Sequence, residues 1–421
     1  MLDFGDLLKK DHQDQSNTFG TQSGIRTVQF YRNEEVKALV EETFRFDGHP
    51  LPVSFGYKFK DLPSLVEENN AQLVVIDLVG CVDTLKECRQ LSTRLPTHLS
   101  VIVLGDADSI SIVRELKTIG FYYLYWPVDK IELAEFVDSV VTRHIETNAL
   151  KSRRRAKRIG IVGMRGGIGT SLICAELGWI LTNKKQTSCL VVDNNYLTGN
   201  LDIFLGLKNR DKRRLGSTET GNEIDQTSAR TLVTRINSRL DYLALGLSEE
   251  SSTELQEVND LVVSHLSPET NFVLEDFSAS VGFDIQPKQL LKTLDVAVIV
   301  MEPSISCLRE TSAMLRKIKK LMEEPEFKRS MRVLIVLNNH RAPRFSSVTE
   351  AEIEKYLEAK IDVVLPYEVS AEEALVNGTR IGEGKSKLGA QLNVLCSRII
   401  GEDTSGNTKK TLFSFLHRKD K

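Results

Sequence analysis

The fold of this chain is decided by the stretch Gly163-Met164-Arg165-Gly166-Gly167-Ile168-Gly169-Thr170-Ser171. An apolar strand pattern, Ile159 to Val162, precedes it, and a helical pattern, Leu172 to Leu181, follows it. Glycines let main-chain N–H groups turn inward, and a helix N-terminus adds positive potential. The stretch therefore predicts a loop that binds phosphate groups. A phosphate-binding loop commonly carries a lysine where Thr170 stands, so we expect a bound nucleotide to be turned over slowly.

Length and composition restrict the class of protein. A chain of 421 residues predicts two or three domains. A net charge of −3 argues against a surface that coats nucleic acid. Six cysteines without a Cys-x-x-Cys pair indicate the reduced thiols of a cytoplasmic protein. Neither a signal peptide nor a run of transmembrane length is visible, so any membrane contact is expected to be peripheral.

Strand and helix patterns alternate along most of the chain. This alternation predicts an α/β fold with two doubly wound parallel-sheet domains. The predicted divisions are a flexible tail (1–26), a first α/β domain (27–148), a basic linker (149–158), a second α/β domain (159–400) and a flexible tail with a basic amphipathic end (401–421). Apolar runs predict the strands Val28–Tyr31, Leu73–Asp77, Val101–Leu104, Tyr122–Tyr125, Ile159–Val162, Cys189–Asp193, Tyr242–Leu245, Phe272–Asp276, Val296–Met301, Val333–Asn338 and Ile361–Leu365. The polar stretch Lys208–Ser228 is predicted to be a loop.

The loop Arg165–Ser171 resembles the deviant Walker A loop of the ParA/MinD ATPases, in which lysines stand at the positions of Arg165 and Thr170. Its Arg-Gly-Gly-x-Gly-small-Ser form is similar to the TadZ/CpaE branch of that family, which helps to place and assemble Flp-type (tight adherence) pili. Leu190–Asp202 resembles the family's second strand and switch region, and Phe272–Ser278 resembles its Walker B strand. The resemblance covers roughly residues 155 to 400, and its motifs occur there in the same order as in the family.

The resemblance implies ATP and Mg²⁺ as cofactors and assigns roles to individual residues. Asp193 would orient the attacking water, while Ser171 and Asp276 would hold Mg²⁺. Asn338 would contact the adenine, and Arg165 would bridge a homodimer. The residues expected to bind the cofactor are Arg165, Gly166, Gly167, Ile168, Gly169, Thr170, Ser171 and Asn338.

Departures from the family pattern concern hydrolysis. A second acid of the family is Asn195 here, and a common proline is Ser278. Loss of the lysine at Thr170 removes a full positive charge beside the phosphates, where charge stabilises phosphoryl transfer. We therefore expect ATP–Mg²⁺ binding with weak or no hydrolysis, which leaves open whether the chain is an enzyme.

The first domain resembles a response-regulator receiver, with Asp77 at the phospho-acceptor position. A receiver also needs an acid cluster after its first strand, a hydroxyl after its fourth and a lysine before the proline that follows its fifth. Here Glu34 is the one candidate acid, and Gly105 and Trp126 stand at the other two positions. A degenerate receiver used for docking or dimerisation is therefore expected.

Three functions are compatible with these patterns. The resemblance favours a pilus assembly and localisation factor, an ATP-binding homodimeric scaffold that contacts pilus or secretion machinery in the cytoplasm or at the inner face of the membrane. Basic residues in Lys151–Arg158 and Arg341–Arg344 leave a ParA-type DNA-partitioning ATPase as an alternative, although binding to nucleic acid is not the favoured expectation. A switch controlled by phosphorylation of Asp77 is the other alternative. Segment 409–421, with apolar residues among cations, is the candidate for membrane or partner contact.

Overall fold

The computed structural model describes residues 25–149, 155–197, 199–207, 212–214, 224–246, 252–278, 285–324, 326–327 and 331–402. These residues belong to two compact units, one within 1–88 and 99–150 and the other within 89–98 and 151–421. The predicted tails fall almost wholly outside the described residues, and so does the amphipathic segment 409–421.

The first unit is built on a five-stranded sheet. All its strands are parallel and follow the order β2-β1-β3-β4-β5, the flavodoxin-like order. The elements are β1 (Thr27–Tyr31), α1 (Glu34–Phe46), β2 (Val53–Gly56), α2 (Leu62–Glu68), β3 (Leu73–Asp77), α3 (Thr84–Arg94), β4 (Ser100–Gly105), α4 (Ile110–Thr118), β5 (Tyr122–Tyr125) and α5 (Lys130–Ala149). The central strand β3 is buried along its whole length, which explains its unbroken apolar run.

The second unit contains the glycine loop. Its elements are β6 (Lys157–Gly163), α6 (Thr170–Trp179), β7 (Cys189–Asp193), α7 (Leu201–Phe204), β8 (Arg213–Arg214), α8 (Gln226–Leu232), β9 (Thr234–Arg235), β10 (Leu240–Gly246), α9 (Ser252–Leu266), β11 (Phe272–Phe277), α10 (Pro287–Thr293), β12 (Val296–Met301), α11 (Ile305–Met322), β13 (Arg332–Asn338), α12 (Glu350–Leu357), β14 (Val363–Leu365), α13 (Ser370–Val376) and α14 (Lys387–Ile400). A π-helical turn, Ile180–Lys184, continues α6.

The second sheet has the strand order β14-β13-β12-β6-β11-β7-β10-β8, with β9 paired antiparallel to β10 at one side. The strands along the main path are parallel, so their carboxyl ends lie at one edge. In open sheets of this kind, ligands bind in the crevice outside that edge. β6 lies between β11 and β12, so the loop that follows it emerges in the middle of the edge.

The predicted α/β class with two parallel sheets is confirmed. Several element bounds differ from the sequence prediction. β2 and α2 were not predicted, because β2 is short, half-exposed and lacks an apolar run. β6 begins at Lys157, so the end of the predicted basic linker is part of the sheet. The predicted loop Lys208–Ser228 contributes β8 and the start of α8.

The structure also shows the state of the cysteines and the character of the helices. Five cysteines are buried, Cys81 is half-buried, and none of the six is in a disulfide bond. In the part of the chain that the structure describes, no helix combines the length and the apolar character needed to cross a bilayer.

Candidate functional site

The glycine loop joins β6 to α6 in a backbone conformation that needs glycine. Gly167 and Gly169 have φ angles of 77° and 87°, a region that other residues rarely adopt. A Cβ at Gly169 would also lie 2.8 Å from Nδ2 of Asn338. The amide of Asn338 donates to the carbonyl oxygen of Ile168 at 2.8 Å, so the end of β13 holds the loop in place.

The main-chain N–H groups of the loop are available to a ligand. Arg165, Gly166 and Gly167 are exposed, whereas Ile168 is buried and anchors the loop. Among the described residues, no hydrogen bond uses the N–H groups of Arg165–Gly169 as donors. Free N–H groups ahead of a helix N-terminus are the donor set that phosphate oxygens need.

Thr170 and Arg165 occupy the two positions where the resembling family has lysines. The Thr170 side chain is buried, and its hydroxyl packs over Gly163, where a Cβ would come within 2.3 Å of Oγ1. Thr170 therefore brings no charge to the loop. Arg165 is exposed, and its guanidinium donates to the hydroxyl of Ser306 at the start of α11.

Two acids stand side by side at the carboxyl edge of the sheet. Asp193 ends β7 and lies directly opposite Asp276 on β11. Both side chains have an exposed fraction of 0%. The main-chain N–H of Asn195 donates to Oδ1 of Asp193 at 2.9 Å. Within the described ranges, neither carboxylate oxygen of Asp276 accepts a hydrogen bond.

Burial shifts the protonation of both acids. It raises the pKa of Asp276, and the neighbouring Asp193 raises it further, to about 8. The Ser171 hydroxyl and the main-chain N–H of Ser278 approach this carboxylate, without the geometry of a hydrogen bond, and partly lower the pKa. Burial also raises the pKa of Asp193, against the lowering effect of Lys212. A fully buried carboxylate without a partner is costly, which marks Asp276 as a site for a cation.

Lys212 is a member of the site that sequence reasoning missed. Its ammonium lies 3.2 Å from Oδ2 of Asp193 and donates to the main-chain oxygen of Asn195. The side chain is 16% exposed. Lys212 comes from the polar stretch predicted as a loop, and nothing in its local pattern signals this contact.

The structure therefore brings together most of the residues predicted for the site. The loop, Ser171, Asp276 and Asp193 form one cluster at the carboxyl edge. Asn338 lies beside the loop, and one of its two amide hydrogens is engaged with Ile168, so its predicted contact with adenine would use the second hydrogen or the side-chain oxygen. Asp276 and Ser171 fit Mg²⁺, since carboxylate and hydroxyl oxygens are the ligands that this ion prefers.

Arg158 was predicted to belong to a basic surface segment, and the structure places it elsewhere. Its guanidinium binds Glu275 through Nε at 2.7 Å and Nη2 at 3.0 Å, and Asp260 through Nη2 at 2.6 Å. Arg158 is therefore part of an internal ion pair and is not available to nucleic acid. Residues 151–154 lie outside the described residues.

Asp77 of the first unit is held by main-chain donors. Its Oδ2 accepts from the N–H groups of Arg32 at 2.9 Å and Asn33 at 2.8 Å, and its Oδ1 accepts from Val79 at 2.9 Å. The side chain has an exposed fraction of 0%. Glu34, the one candidate acid for a metal cluster there, pairs with Lys37 at 3.3 Å on the surface. This environment favours a structural role for Asp77.

We predict that Asp77 takes no phosphate. Three main-chain bonds already use its lone pairs, and burial keeps small phosphodonors away from it. After incubation of the full chain with acetyl phosphate and Mg²⁺, intact-mass spectrometry should show the unmodified mass. Asp77→Asn should lower the free energy of unfolding by about 1–3 kcal/mol, because the amide cannot accept all three bonds. A stoichiometric adduct that disappears in Asp77→Asn would contradict this.

Comparisons with known proteins give one family model and a set of solved structures. The family model described as "Cellulose biosynthesis protein BcsQ" matches residues 156–323, less than half of the chain. No curated protein matches the chain. Solved structures that resemble it are ParA- and MinD-family ATPases.

Three of these structures illustrate the likeness. The ParA family ATPase of Chlorobium tepidum TLS is 25% identical, with 57% of this chain and 98% of that chain covered and a TM-score of 0.46. The Pyrococcus horikoshii OT3 septum site-determining protein MinD, complexed with Mg-ADP, is 18% identical, with 60% and 98% covered and a TM-score of 0.45. The MinC:MinD cell division protein complex of Aquifex aeolicus is 19% identical, with 59% of this chain and 97% of that chain covered and a TM-score of 0.47. TM-scores this low carry no argument about function, so the assignment of the site depends on the geometry above.

Proposed function

We propose that this protein is an ATP-binding scaffold that forms a homodimer with nucleotide bound and hydrolyses ATP weakly or not at all. The observation that carries the proposal is the combination of two features: within the described ranges, the loop N–H groups donate no hydrogen bond, and the fully buried carboxylate of Asp276 accepts none. The first can hold phosphate oxygens, and the second needs a cation. ATP–Mg²⁺ supplies both at the one edge where they meet.

Each residue of the site has a role in this proposal. The N–H groups of Arg165–Gly169 bind the phosphates. Ser171 and Asp276 hold Mg²⁺, which would supply charge neutralisation for the phosphates. Asn338 fixes the loop and offers its oxygen to the base. Asp193 can orient water, but its Oδ1 accepts from Asn195 and its Oδ2 is paired with the Lys212 ammonium at 3.2 Å, which supports weak hydrolysis.

The proposed dimer uses Arg165. Arg165 is exposed, and among the residues that the structure describes its guanidinium binds the Ser306 hydroxyl, a neutral partner. Exchange of that hydroxyl for the nucleotide of a second copy would replace a neutral contact by a charge-assisted one, which is about twice as strong. Nucleotide binding and dimer formation would then stabilise each other.

We predict that calorimetry with ATP and Mg²⁺ will show binding, and that light scattering will show a dimer with ATP–Mg²⁺ and a monomer without it. ATP turnover over an hour should stay near the blank. Gly169→Ala is the site variant, because its φ of 87° and its 2.8 Å approach to Asn338 exclude a Cβ; it should abolish binding. Gly378→Ala, at a positive φ of 65° with open space around it, is the matched control. Absence of heat at millimolar ATP would refute the proposal.

The cellular system in which this scaffold acts is a finer proposal. Similarity of the loop to the TadZ/CpaE branch supports a role in assembling and placing Flp-type pili, with pilus or secretion proteins as partners, in the cytoplasm or at the inner face of the membrane. The family model that matches 156–323 is named for cellulose biosynthesis, which makes cellulose biosynthesis the alternative system in which the scaffold would act. A deletion strain scored for surface pili and for cellulose separates the two.

A further inference from the structure

A half-buried lysine lies beside Asp193, one of the two acids of the site. The Lys212 ammonium is 3.2 Å from Oδ2 of Asp193, and it donates to the carbonyl oxygen of Asn195. Its side chain is 16% exposed, and that of Asp193 is 0% exposed. Buried pairs are screened little by salt and water, so this charge acts on any ligand that binds next to Asp193.

Two glycines leave the space that Lys212 fills. A Cβ at Gly199 would lie 2.7 Å from Nζ of Lys212, and one at Gly246 would lie 2.9 Å from its Cβ. The residues that follow Lys212 form β8 and pair in parallel with Leu245–Gly246 at the end of β10. The sheet therefore fixes where the lysine emerges, and the two glycines allow it to reach Asp193.

The charges around Lys212 do not balance without it. Asp193 and Asp276 are register partners on the adjacent strands β7 and β11. Asp202 adds a further negative charge near Asp193. Thr170 contributes no charge, and Arg165 is turned to Ser306. Lys212 acts electrostatically on both Asp193 and Asp276. It thus supplies a positive charge at the edge where the loop lacks its lysine.

We propose that the ammonium of Lys212 binds the terminal phosphate of the bound nucleotide. It would take the role of the lysine that the resembling family has at the position of Thr170. This inference rests on the proposed function, in which Asp193 can orient the water that attacks the terminal phosphate and must therefore lie near it. The ammonium on Asp193 is then within reach of a phosphate oxygen and exchanges one anionic partner for another. Because ADP has no phosphate at that place, Lys212 makes the site prefer ATP over ADP.

The test compares the affinities of the full-length protein for ATP and ADP, each with Mg²⁺, by calorimetry. Lys212→Met should weaken ATP binding by about 10–100-fold, the loss expected for one charge-assisted hydrogen bond, and ADP binding by less than about 3-fold. Lys212→Arg should keep the preference for ATP. Lys288→Met is the matched control, because Lys288 forms an exposed pair with Glu326 at 3.4 Å, outside the site. It should leave both affinities unchanged.

Gly246→Ala provides a second variant in which the lysine is chemically intact. The new methyl group would contact Cβ of Lys212 at 2.9 Å and shift the ammonium from Asp193. The ATP-to-ADP preference should fall as in Lys212→Met, and this variant decides the matter if Lys212→Met does not fold. Equal losses for ATP and ADP, or none, would overturn the inference while the proposed function stands. Absence of binding by the wild-type protein would overturn both.

Discussion

Replacement of Asp276 by asparagine is expected to make the nucleotide-free protein more stable at alkaline pH and to remove the effect of Mg²⁺ on nucleotide binding. The reason for the first effect is that the wild-type carboxylate is fully buried and, within the described ranges, accepts no hydrogen bond. Above its pKa it must carry a charge there. Asparagine removes the charge but still buries a polar group, so the net gain should be about 1–3 kcal/mol.

The pH dependence has a definite sign. Burial, and then Asp193, raise the pKa of Asp276 to about 8 in the folded protein. In the unfolded chain an aspartate has a pKa of about 3.9. Between these values the folded state binds a proton that the unfolded state lacks, so stability falls as the pH rises through this window. Asp276→Asn should flatten that fall, and the gain over wild type should be largest above pH 8.

Urea denaturation at pH 6 and at pH 8.5, with and without ATP–Mg²⁺, measures both effects. Wild-type protein should gain stability from ATP–Mg²⁺, and Asp276→Asn should gain no more than it does from ATP with a chelator, because an amide is a poor ligand for Mg²⁺. Opposite changes in stability and binding are typical of residues kept for function. A variant that is less stable than wild type at both pH values, or that keeps its response to Mg²⁺, would show that Asp276 is structural.

The strand ends of this site could be predicted from the sequence. Asp193 is the last residue and Asp276 the last but one of two fully buried strands, and alternation with helices makes the strands parallel. Acids at the carboxyl ends of parallel strands must then meet at one edge. The glycine spacing similarly predicts the loop, because the φ values of 77° at Gly167 and 87° at Gly169 strongly favour glycine.

Pairings between distant residues could not be predicted in this way. Lys212 reaches Asp193 only because β8 pairs with β10, and a strand of two residues leaves no periodic pattern. Arg158 looked like one cation in a basic run, since its partner Glu275 is 117 residues away along the chain. In both cases the local composition is polar, and tertiary contacts alone decide whether the charge faces solvent or a buried acid.

Loss of the Arg158 guanidinium should have the largest effect on stability. Arg158 is 15% exposed, and it binds Glu275, which is 3% exposed, through two nitrogens. Burial alone would lower the pKa of Arg158, but Glu275 and Asp260 more than offset this and raise it. In Arg158→Met, Glu275 is left charged and buried without its partner. Breaking a buried pair in this way costs about 3–5 kcal/mol.

The double variant Arg158→Met, Glu275→Leu distinguishes the lost pair from a lost packing contact. When both charges are replaced by apolar side chains, most of the loss should be recovered, since the acid that remains, Asp260, is 27% exposed and keeps its bond from Gln289. Lys288→Met, which removes an exposed pair with Glu326, should change stability by less than about 1 kcal/mol. Urea titrations in a Trp126→Phe background, read by the fluorescence of Trp179 on α6, report on the second unit alone. Equal losses in the single and double variants would contradict the ion-pair argument.

The same experiment separates the two neighbouring acids of β11. Successive residues of a strand point to opposite faces of the sheet, so Glu275 and Asp276 lie on different sides. Glu275 is fully paired by Arg158, whereas Asp276 has no partner in the described part of the chain. We therefore expect Arg158→Met with Glu275→Leu to bind ATP–Mg²⁺ like wild type. Asp276→Asn should lose Mg²⁺-dependent binding although it is the more stable protein, because a paired acid stabilises the fold and an unpaired one is held for a ligand.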